Sequence, residues 1–402
     1  MVDNLNQAKD DDAVLGGQVS APTDGAVLGG IEGVKKRLAS TIVGQRVAAL
    51  YQALNYGEAG LELVAQALGD KSKQVQQAAQ NLLVEKRANP KARQALRQGY
   101  PYFLFECLYT LSSADGFEIS TVAISPDGQT FASCSFRYTI ELWNLHTGEL
   151  IHTFEQSSGR GGCSFCSVAF SPDVQKLSGT VEDGTIKVWD LHTGELLHHF
   201  GEGTESFDTI TCVAFSPDGQ SLVSGNWYRS IKVWNLQAGE VRSNLPREGG
   251  TIMSLAVNPL QPFFATTCGT IELWDINTVE PLGDKCSSRG FYAVAFSPDG
   301  QIFAAGGGDN TISLWNLDTG ERLHKLEGNP EEVHSLAFSP NGQFLASSGL
   351  DNNINLWDLT TGERFHTLKG HLDYVNEVAI SPDGQTLISG SCDRTIKVWG
   401  IC

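Results

Sequence analysis

Residues 378–399 read VAISPDGQTLISGSCDRTIKVW, and this stretch decides the fold. Its apolar start is typical of a strand that is buried on both faces. The following SPDG, residues 381–384, is typical of a tight turn, because proline fixes φ, aspartate bonds its own backbone and glycine supplies a positive φ. A second strand over Thr386–Ser391, a turn at Asp393 and a third strand ending at Trp399 complete the predicted unit.

The same phrase, with small changes, recurs seven times along the 402 residues. The copies begin at Val122, Val168, Val213, Leu255, Val294, Leu336 and Val378. One tryptophan follows each copy: Trp143, Trp189, Trp234, Trp274, Trp315, Trp357 and Trp399. Successive tryptophans in this series are 40 to 46 residues apart, and only Trp227 lies outside it. A regular period of this length indicates a repeat architecture, with one supersecondary unit per copy.

These units resemble WD repeats, because Asp or Asn follows the tryptophan in several copies, as in Trp189-Asp190 and Trp234-Asn235. The resemblance covers roughly residues 102–402. It implies a mainly β fold, a seven-bladed WD40 β-propeller with four strands per blade. Together with a helical head, it is similar to WD-repeat proteins of bacterial, cyanobacterial-like type.

The seventh unit ends three residues after Trp399, before a fourth strand. Residues Glu106–Leu111 match the fourth-strand pattern of Glu149–Phe154. We therefore expect a strand at 104–111 to complete the last blade, which closes the ring and leaves no open sheet edge.

The first hundred residues divide in two. Residues 1–30 contain DDD and two AVLGG copies, a pattern that predicts a flexible arm. Residues 31–100 have apolar side chains at helical spacing, such as Val47, Leu50 and Leu54. Helical pairs of this length resemble HEAT or armadillo hairpins. The expected domains are thus 1–30, 31–100 and the propeller at 101–402.

Charge and cysteine content narrow the expected partners. The net charge is −18, although residues 1–100 carry 12 Lys/Arg against 10 Asp/Glu. The acidic remainder argues against a nucleic-acid partner. No secretory signal and no apolar run long enough to span a membrane is visible. The nine cysteines favour reduced thiols in the cytoplasm, and Cys163 and Cys166 are expected to be free rather than half of a zinc site.

The resemblance implies a structural tetrad in the last repeat, formed by His371, Ser389, Asp393 and Trp399. In the family these residues form a stabilising network, so we expect no catalytic residue here. We also expect no metal and no cofactor.

The repeats that depart from their own pattern indicate where partners bind. Loops that enter the first strand and turns between strands two and three lie on one face of a propeller. Trp, Tyr and Arg are enriched in the residues that dominate binding interfaces. Such residues at these positions, with one Phe, are Arg137, Tyr138, Arg160, Phe207, Trp227, Tyr228, Arg229, Arg289, Tyr292 and Tyr374.

The sequence thus predicts a non-catalytic scaffold that binds a protein or peptide on this face. One alternative is a sensory or regulatory module that docks on a signalling partner through its helical head. That head is basic over residues 71–97. The other alternative is an enzyme with a site in the central channel, which needs converging charged side chains, whereas the inner strands read Val-Ala-Phe-Ser.

Overall fold

The computed structural model describes residues 30–401 except 156–165, 182, 202–208, 229 and 246–249; the side chains of 99 and 284–289 also lie outside the description. The chain forms two compact units, Met1–Gly99 and Tyr100–Cys402. Among the described helices, none combines the length and apolarity needed to cross a bilayer.

The described part of the first unit is helical. Its helices are α1 (Ile31–Leu38), α2 (Val43–Ala53), α3 (Gly57–Gln66), α4 (Lys73–Glu85) and α5 (Pro90–Gly99), with short 3₁₀ turns at Leu54–Tyr56 and Ala67–Gly69. Leu50, Val64 and Leu83 are buried in its core. Arg46 is also buried, and its guanidinium holds both oxygens of Asp70, with Nε–Oδ2 at 3.0 Å and Nη2–Oδ1 at 3.1 Å. This pair ties α2 to the loop before α4.

The second unit begins with a 3₁₀ turn at Pro101–Leu104 and continues as strands. The inner strands are β2 (Ile119–Ile124), β6 (Val168–Phe170), β10 (Ile210–Phe215), β14 (Ser254–Val257), β17 (Pro281–Phe296), β21 (Val333–Phe338) and β25 (Val375–Ile380). The second strands are β3 (Thr130–Ser135), β7 (Lys176–Thr180), β11 (Ser221–Asn226), β15 (Phe263–Thr267), β18 (Ile302–Gly307), β22 (Phe344–Gly349) and β26 (Thr386–Ser391).

The third strands carry the tryptophans: β4 (Ile140–Asn144), β8 (Ile186–Asp190), β12 (Ile231–Asn235), β16 (Gly269–Asp275), β19 (Ile312–Asn316), β23 (Asn353–Asp358) and β27 (Thr395–Ile401). The outer strands are β1 (Phe105–Ser112), β5 (Leu150–Glu155), β9 (Leu196–Phe200), β13 (Glu240–Leu245), β20 (Arg322–Leu326) and β24 (Arg364–Lys369). These elements confirm the prediction of a mainly β protein with a small N-terminal helical region.

The described strands form antiparallel sheets of the propeller-blade type. Five sheets have four strands, in the orders β2-β3-β4-β5, β6-β7-β8-β9, β10-β11-β12-β13, β21-β22-β23-β24 and β1-β27-β26-β25. The sixth runs from β14 to β20 in chain order, because the long strand β17 pairs with β16 at one end and with β18 at the other. In the last four-stranded sheet, β1 pairs with β27, with Thr110 opposite Lys397.

Hydrogen bonds between inner strands join neighbouring sheets. The Ser120 hydroxyl donates to the Cys166 carbonyl at 3.0 Å, and the amides of Val213, Val294 and Val378 donate to the serine hydroxyls of the preceding sheet at 3.2 to 3.3 Å. Asn376 Nδ2 of the last sheet donates to the Ile119 carbonyl of the first sheet at 2.8 Å. This bond links the two ends of the set of sheets.

Apolar packing follows the same neighbours. One buried cluster combines Ile119, Phe131 and Trp143 from the first sheet with Ile388 and Val398 from the last sheet. The segment before β1 is held by aromatic rings, with Tyr102 against Phe344 at 4.7 Å between ring centroids. The start of the second unit therefore packs against its last two sheets.

Candidate partner-binding face and channel

The tetrad of the last sheet is assembled from a loop, two strands and a turn. His371 places Nδ1 2.8 Å from Asp393 Oδ2 and Nε2 2.7 Å from Ser389 Oγ. Trp399 Nε1 donates to the same hydroxyl at 2.9 Å. The His371 and Asp393 side chains are almost fully buried. The hydrogen bonds link the entering loop to β26, β27 and the turn between them.

Asp393 is the acceptor on which this network depends. Burial by itself raises the pKa of the Asp393 carboxyl, but hydrogen bonds from His371, Thr395 and the Leu372 amide outweigh burial and hold that pKa well below its ordinary value. The carboxylate is therefore ionised across the neutral range and fixes the ring of His371. This geometry fixes the conformation of the loop that carries His371 and does not present a reactive group to solvent.

The inner strands of all the sheets surround one cavity of about 460 Å³. The exposed surface of its wall is more polar than apolar, and its partly exposed apolar residues include Leu255, Ala295 and Phe338. Phe136, in the turn after β3, lines the cavity at the face that carries the strand 2–3 turns. We call this cavity the channel.

Two ionisable side chains of the channel wall depart from the pattern that the repeat phrase predicts. Glu377 lies in β25 and accepts a hydrogen bond from Ser335 Oγ at 2.5 Å, and burial raises the pKa of its carboxyl to about 7. His334 packs edge-on against Tyr292 at 5.6 Å, and burial lowers its pKa although Glu332 acts in the opposite direction. Sequence reasoning missed both residues, because they precede the repeated phrase.

A second cavity, of about 520 Å³, opens on the face that carries the strand 2–3 turns. Its wall combines residues of the first and last sheets: Phe117, Glu118, Phe136, Arg137, Asp373, Tyr374 and Cys392. The Arg137 guanidinium lies over the Phe117 ring, 4.4 Å from its centroid. Phe136 lines this cavity as well as the channel, so the two adjoin. We call the second cavity the cleft.

The cleft brings together two of the residues that the sequence predicts for partner binding, Arg137 and Tyr374. Tyr374 is 45% exposed, and the neighbouring Leu372 is 87% exposed. Trp227 and Tyr228 are also large exposed side chains, at 41% and 53%, but they lie in the turn after β11 and do not line the cleft.

Two predicted residues are placed elsewhere. Tyr292 is half-buried and lines the channel. Tyr138 is only 7% exposed and packs in a core cluster with Ile140 and Cys166. Its backbone adopts a positive φ of 61° in the turn, as Arg394 does at the matching position. The Tyr138 ring therefore fills the core, which corrects the expectation that this side chain contacts a partner.

Several predicted residues cannot be placed as side chains. Arg160, Phe207, Arg229 and Cys163 lie outside the described residues, and Arg289 is described only by its backbone within β17. Their assignment to the binding face stays a prediction.

The cysteine prediction needs a correction. Cys166 forms a disulfide with Cys134, which joins the first two sheets beside the channel. The expectation of a free thiol at Cys166 is therefore wrong. Sequence spacing pointed to its near neighbour Cys163, whereas the fold brings Cys166 next to a residue 32 positions away. No group of three or more potential metal ligands occurs among the described residues.

Family models match most of the second unit. The model described as "IFT122 first beta-propeller" matches residues 164–348, and "WD domain, G-beta repeat" matches 105–144 and 362–400. "Anaphase-promoting complex subunit 4 WD40 domain" matches 326–379. Each model covers less than half of the chain, so the matches show that segments of the second unit are similar to WD-repeat families, in agreement with its four-stranded, blade-like sheets.

Similar proteins share short segments with this chain. Small ribosomal subunit protein RACK1 of Neurospora crassa is 33% identical over 66 residues, which is 16% of this chain and 21% of RACK1. Probable serine/threonine-protein kinase PkwA of Thermomonospora curvata is 43% identical over 49 residues, 12% of this chain and 7% of PkwA. U3 small nucleolar RNA-associated protein 7 of Saccharomyces cerevisiae is 30% identical over 91 residues, 22% of this chain and 16% of that protein. The matches thus span less than a quarter of each relative.

Proposed function

We propose that this protein is a non-catalytic interaction scaffold that binds a protein or peptide on the face that carries the strand 2–3 turns. The observation that carries the proposal is the cleft, where Arg137 and Tyr374 meet beside the exposed Leu372. An arginine stacked on an aromatic ring and a half-exposed tyrosine form the kind of anchor that dominates protein interfaces. The similarity to RACK1 supports a role in an assembly.

We further propose that the second unit is a closed propeller of seven blades. Strand β17 serves two neighbouring blades, so the seven-stranded sheet counts as two. The β1–β27 pairing and the Asn376–Ile119 hydrogen bond support closure between the last blade and the first. A closed ring holds the cleft in a fixed shape, which lowers the cost of ordering it when a partner binds.

The test is affinity capture from native lysate with the full chain. The Arg137→Ala/Tyr374→Ala variant removes the cleft anchors, and Trp227→Ala/Tyr228→Ala removes the exposed aromatics of the other turn. Tyr51→Ala is the matched control, because Tyr51 is an equally exposed aromatic residue of α2. The proposal expects partners to be lost with at least one of the two face variants and kept with Tyr51→Ala. Recovery of the same partners by all three variants would refute it.

A regulatory module that docks through its helical head is the second candidate. The compact helical unit and the exposed side chains of Lys86 and Arg87 in its basic segment favour it. In the same capture experiment, Lys86→Glu/Arg87→Glu would then lose the partners that the face variants keep. A bacterial source, a HEAT-like head and a cytoplasmic location stay predictions.

A further inference from the structure

Among the described residues that line the channel, Glu377 is the single carboxylate. Glu377 lies in an inner-strand position that Thr121, Ser167, Cys212, Ser254, Ala293 and Ser335 occupy in the other sheets. Six of the seven positions thus hold small side chains. A repeat pattern explains these small residues, but it does not explain one charged residue among them.

Few groups of the protein replace the water that the Glu377 carboxylate loses on burial. The described residues give it one hydrogen bond, from Ser335 Oγ, although a carboxylate offers about four acceptor positions. The described channel lining contains no Lys or Arg. Asn376 points its amide group away, toward the Ile119 carbonyl. A partly desolvated carboxylate with spare acceptor positions is costly unless a donor occupies it.

The rest of the channel fits an organic cation better than a metal ion. A divalent metal needs several oxygen ligands, and no ligand group of three is present in the described part of the chain. The partly exposed lining residues Leu255, Ala295 and Phe338 instead offer apolar contact for a hydrocarbon stem. Lysine and arginine side chains combine such a stem with a charged head. Phe136 lies where the channel meets the cleft, so a partner seated in the cleft has access to this cavity.

We propose that the channel binds a cationic side chain, the guanidinium of an arginine or the ammonium of a lysine, with Glu377 as its counter-ion. This inference rests on the proposed function, because the side chain would come from the partner bound at the same face. The strongly negative charge of the residues after position 100 draws a cationic segment to this unit.

The protonation states make this binding depend on pH. Because burial raises the pKa of Glu377 to about 7, a bound cation shifts the carboxyl toward its ionised form. The other titratable groups of the channel are His334, whose pKa is lowered, Cys212, whose pKa is raised to about 11, and Tyr292. Cys166 is held in a disulfide and does not titrate. Binding therefore strengthens as the pH rises through 7.

The experiment titrates the purified full chain with acetyl-Ala-Arg-Ala-amide by calorimetry at pH 8. The citrulline peptide of the same shape has no charge and serves as the ligand control. Glu377→Gln keeps the size of the side chain and a hydrogen-bonding group for Ser335 but removes the charge. A charge-assisted hydrogen bond contributes about 1.5–3 kcal/mol, so we expect the arginine peptide to bind about tenfold to a hundredfold more weakly to this variant. Glu377→Asp keeps the charge and is expected to retain binding.

Glu363→Gln is the matched protein control, because Glu363 is an exposed carboxylate between β23 and β24 that lines neither the channel nor the cleft. We expect it to leave the affinity for the peptide unchanged, and we expect binding to the wild type to weaken about tenfold at pH 6. Equal binding of the arginine and citrulline peptides, or a loss with Glu363→Gln but not with Glu377→Gln, would overturn the inference. The proposed scaffold function is tested separately: it is refuted if the cleft and turn variants capture the same partners as the wild type.

Discussion

Replacing Asp393 with alanine removes the acceptor at the centre of the tetrad. The carboxylate accepts from His371, from the Leu372 and Thr395 amides at 2.9 Å each, and from the Thr395 hydroxyl at 2.5 Å. The variant leaves Nδ1 of the buried His371 without its carboxylate partner. Breaking a buried, hydrogen-bonded pair in this way costs about 3–5 kcal/mol. For a unit that spans Tyr100–Cys402, we expect the melting temperature to fall by about 5–8 °C.

The matched control is Asp309→Ala. Asp309 occupies the same turn position in another repeat, but it is exposed, and within the described part of the chain its side chain bonds only to Thr311. We expect a loss of about 1 kcal/mol or less. The assay is urea unfolding followed by tryptophan fluorescence, since Trp399 belongs to the tetrad. Equal losses of stability in the two variants would refute the network that we describe.

The tetrad also predicts a pH dependence. The pKa of Asp393 is depressed in the folded protein, so its stabilising contribution is fully present above the unfolded pKa of about 4 and is lost as the pH falls below that value. We expect Asp393→Asn to reduce the difference in the free energy of unfolding between pH 7 and pH 3. An unchanged difference would contradict this assignment.

Three further changes test separate parts of the structure. Cys134→Ser removes the disulfide that closes a loop of 32 residues, and we expect a loss of about 3–4 kcal/mol in non-reducing urea unfolding, with Cys107→Ser, an exposed free cysteine, as the control. Arg46→Ala leaves Asp70 without its cation, so the helical unit should lose about 3–5 kcal/mol, measured by circular dichroism; a loss no larger than that of the exposed Lys36→Ala would contradict this. Gly390→Ala places a methyl group 2.5 Å from Ile119 Cγ2 across the junction of the last and first sheets, and we expect a loss of about 1–3 kcal/mol; full wild-type stability would mean that these sheets do not pack as described.

The sequence predicts much of this fold because its information is local. The SPDG turns form as expected: the Ser125 hydroxyl donates to Asp127 at 2.6 Å and accepts from the Thr130 amide at 3.0 Å. Each such turn sets the register of the strands that follow it. The repeated tryptophan then marks the third strand, and it lies there in all the sheets.

Local sequence patterns could not predict the carboxylate in the channel, the disulfide or the burial of Tyr138. Glu377 and Ser335 are 42 residues apart, and nothing in either segment shows that the other lies beside it. The same holds for Cys134 and Cys166. Tyrosine is a residue type that is common at interfaces. The ring of Tyr138 is nevertheless buried, because it fills a space between two sheets that the sequence of the turn does not reveal.

The predicted binding residues depend on context in a second way. Arg137 and Tyr374 belong to the first and the last sheet, and only closure of the set of sheets brings them to one cleft. A scan of single repeats identifies each residue as unusual but does not show that they meet. The ring closure is thus the premise on which the proposed binding face depends.

The most direct test of closure is a crosslink between the two ends of the second unit. Thr110 lies opposite Lys397 in the β1–β27 pair, and Lys397 Nζ donates to Thr110 Oγ1 at 3.0 Å. Both double-cysteine variants of this test carry Cys107→Ser as well, because the free Cys107 Sγ lies 3.7 Å from Thr110 Oγ1. After mild oxidation, the Thr110→Cys/Lys397→Cys variant should form an intramolecular disulfide between these positions, which peptide mass spectrometry detects. Thr110→Cys/Val398→Cys is the control, because Val398 is the next residue along the strand and points to the other face. Formation of the 110–397 disulfide in monomers supports the closed ring, whereas equal crosslinking in both variants, or disulfides only between molecules, would contradict it.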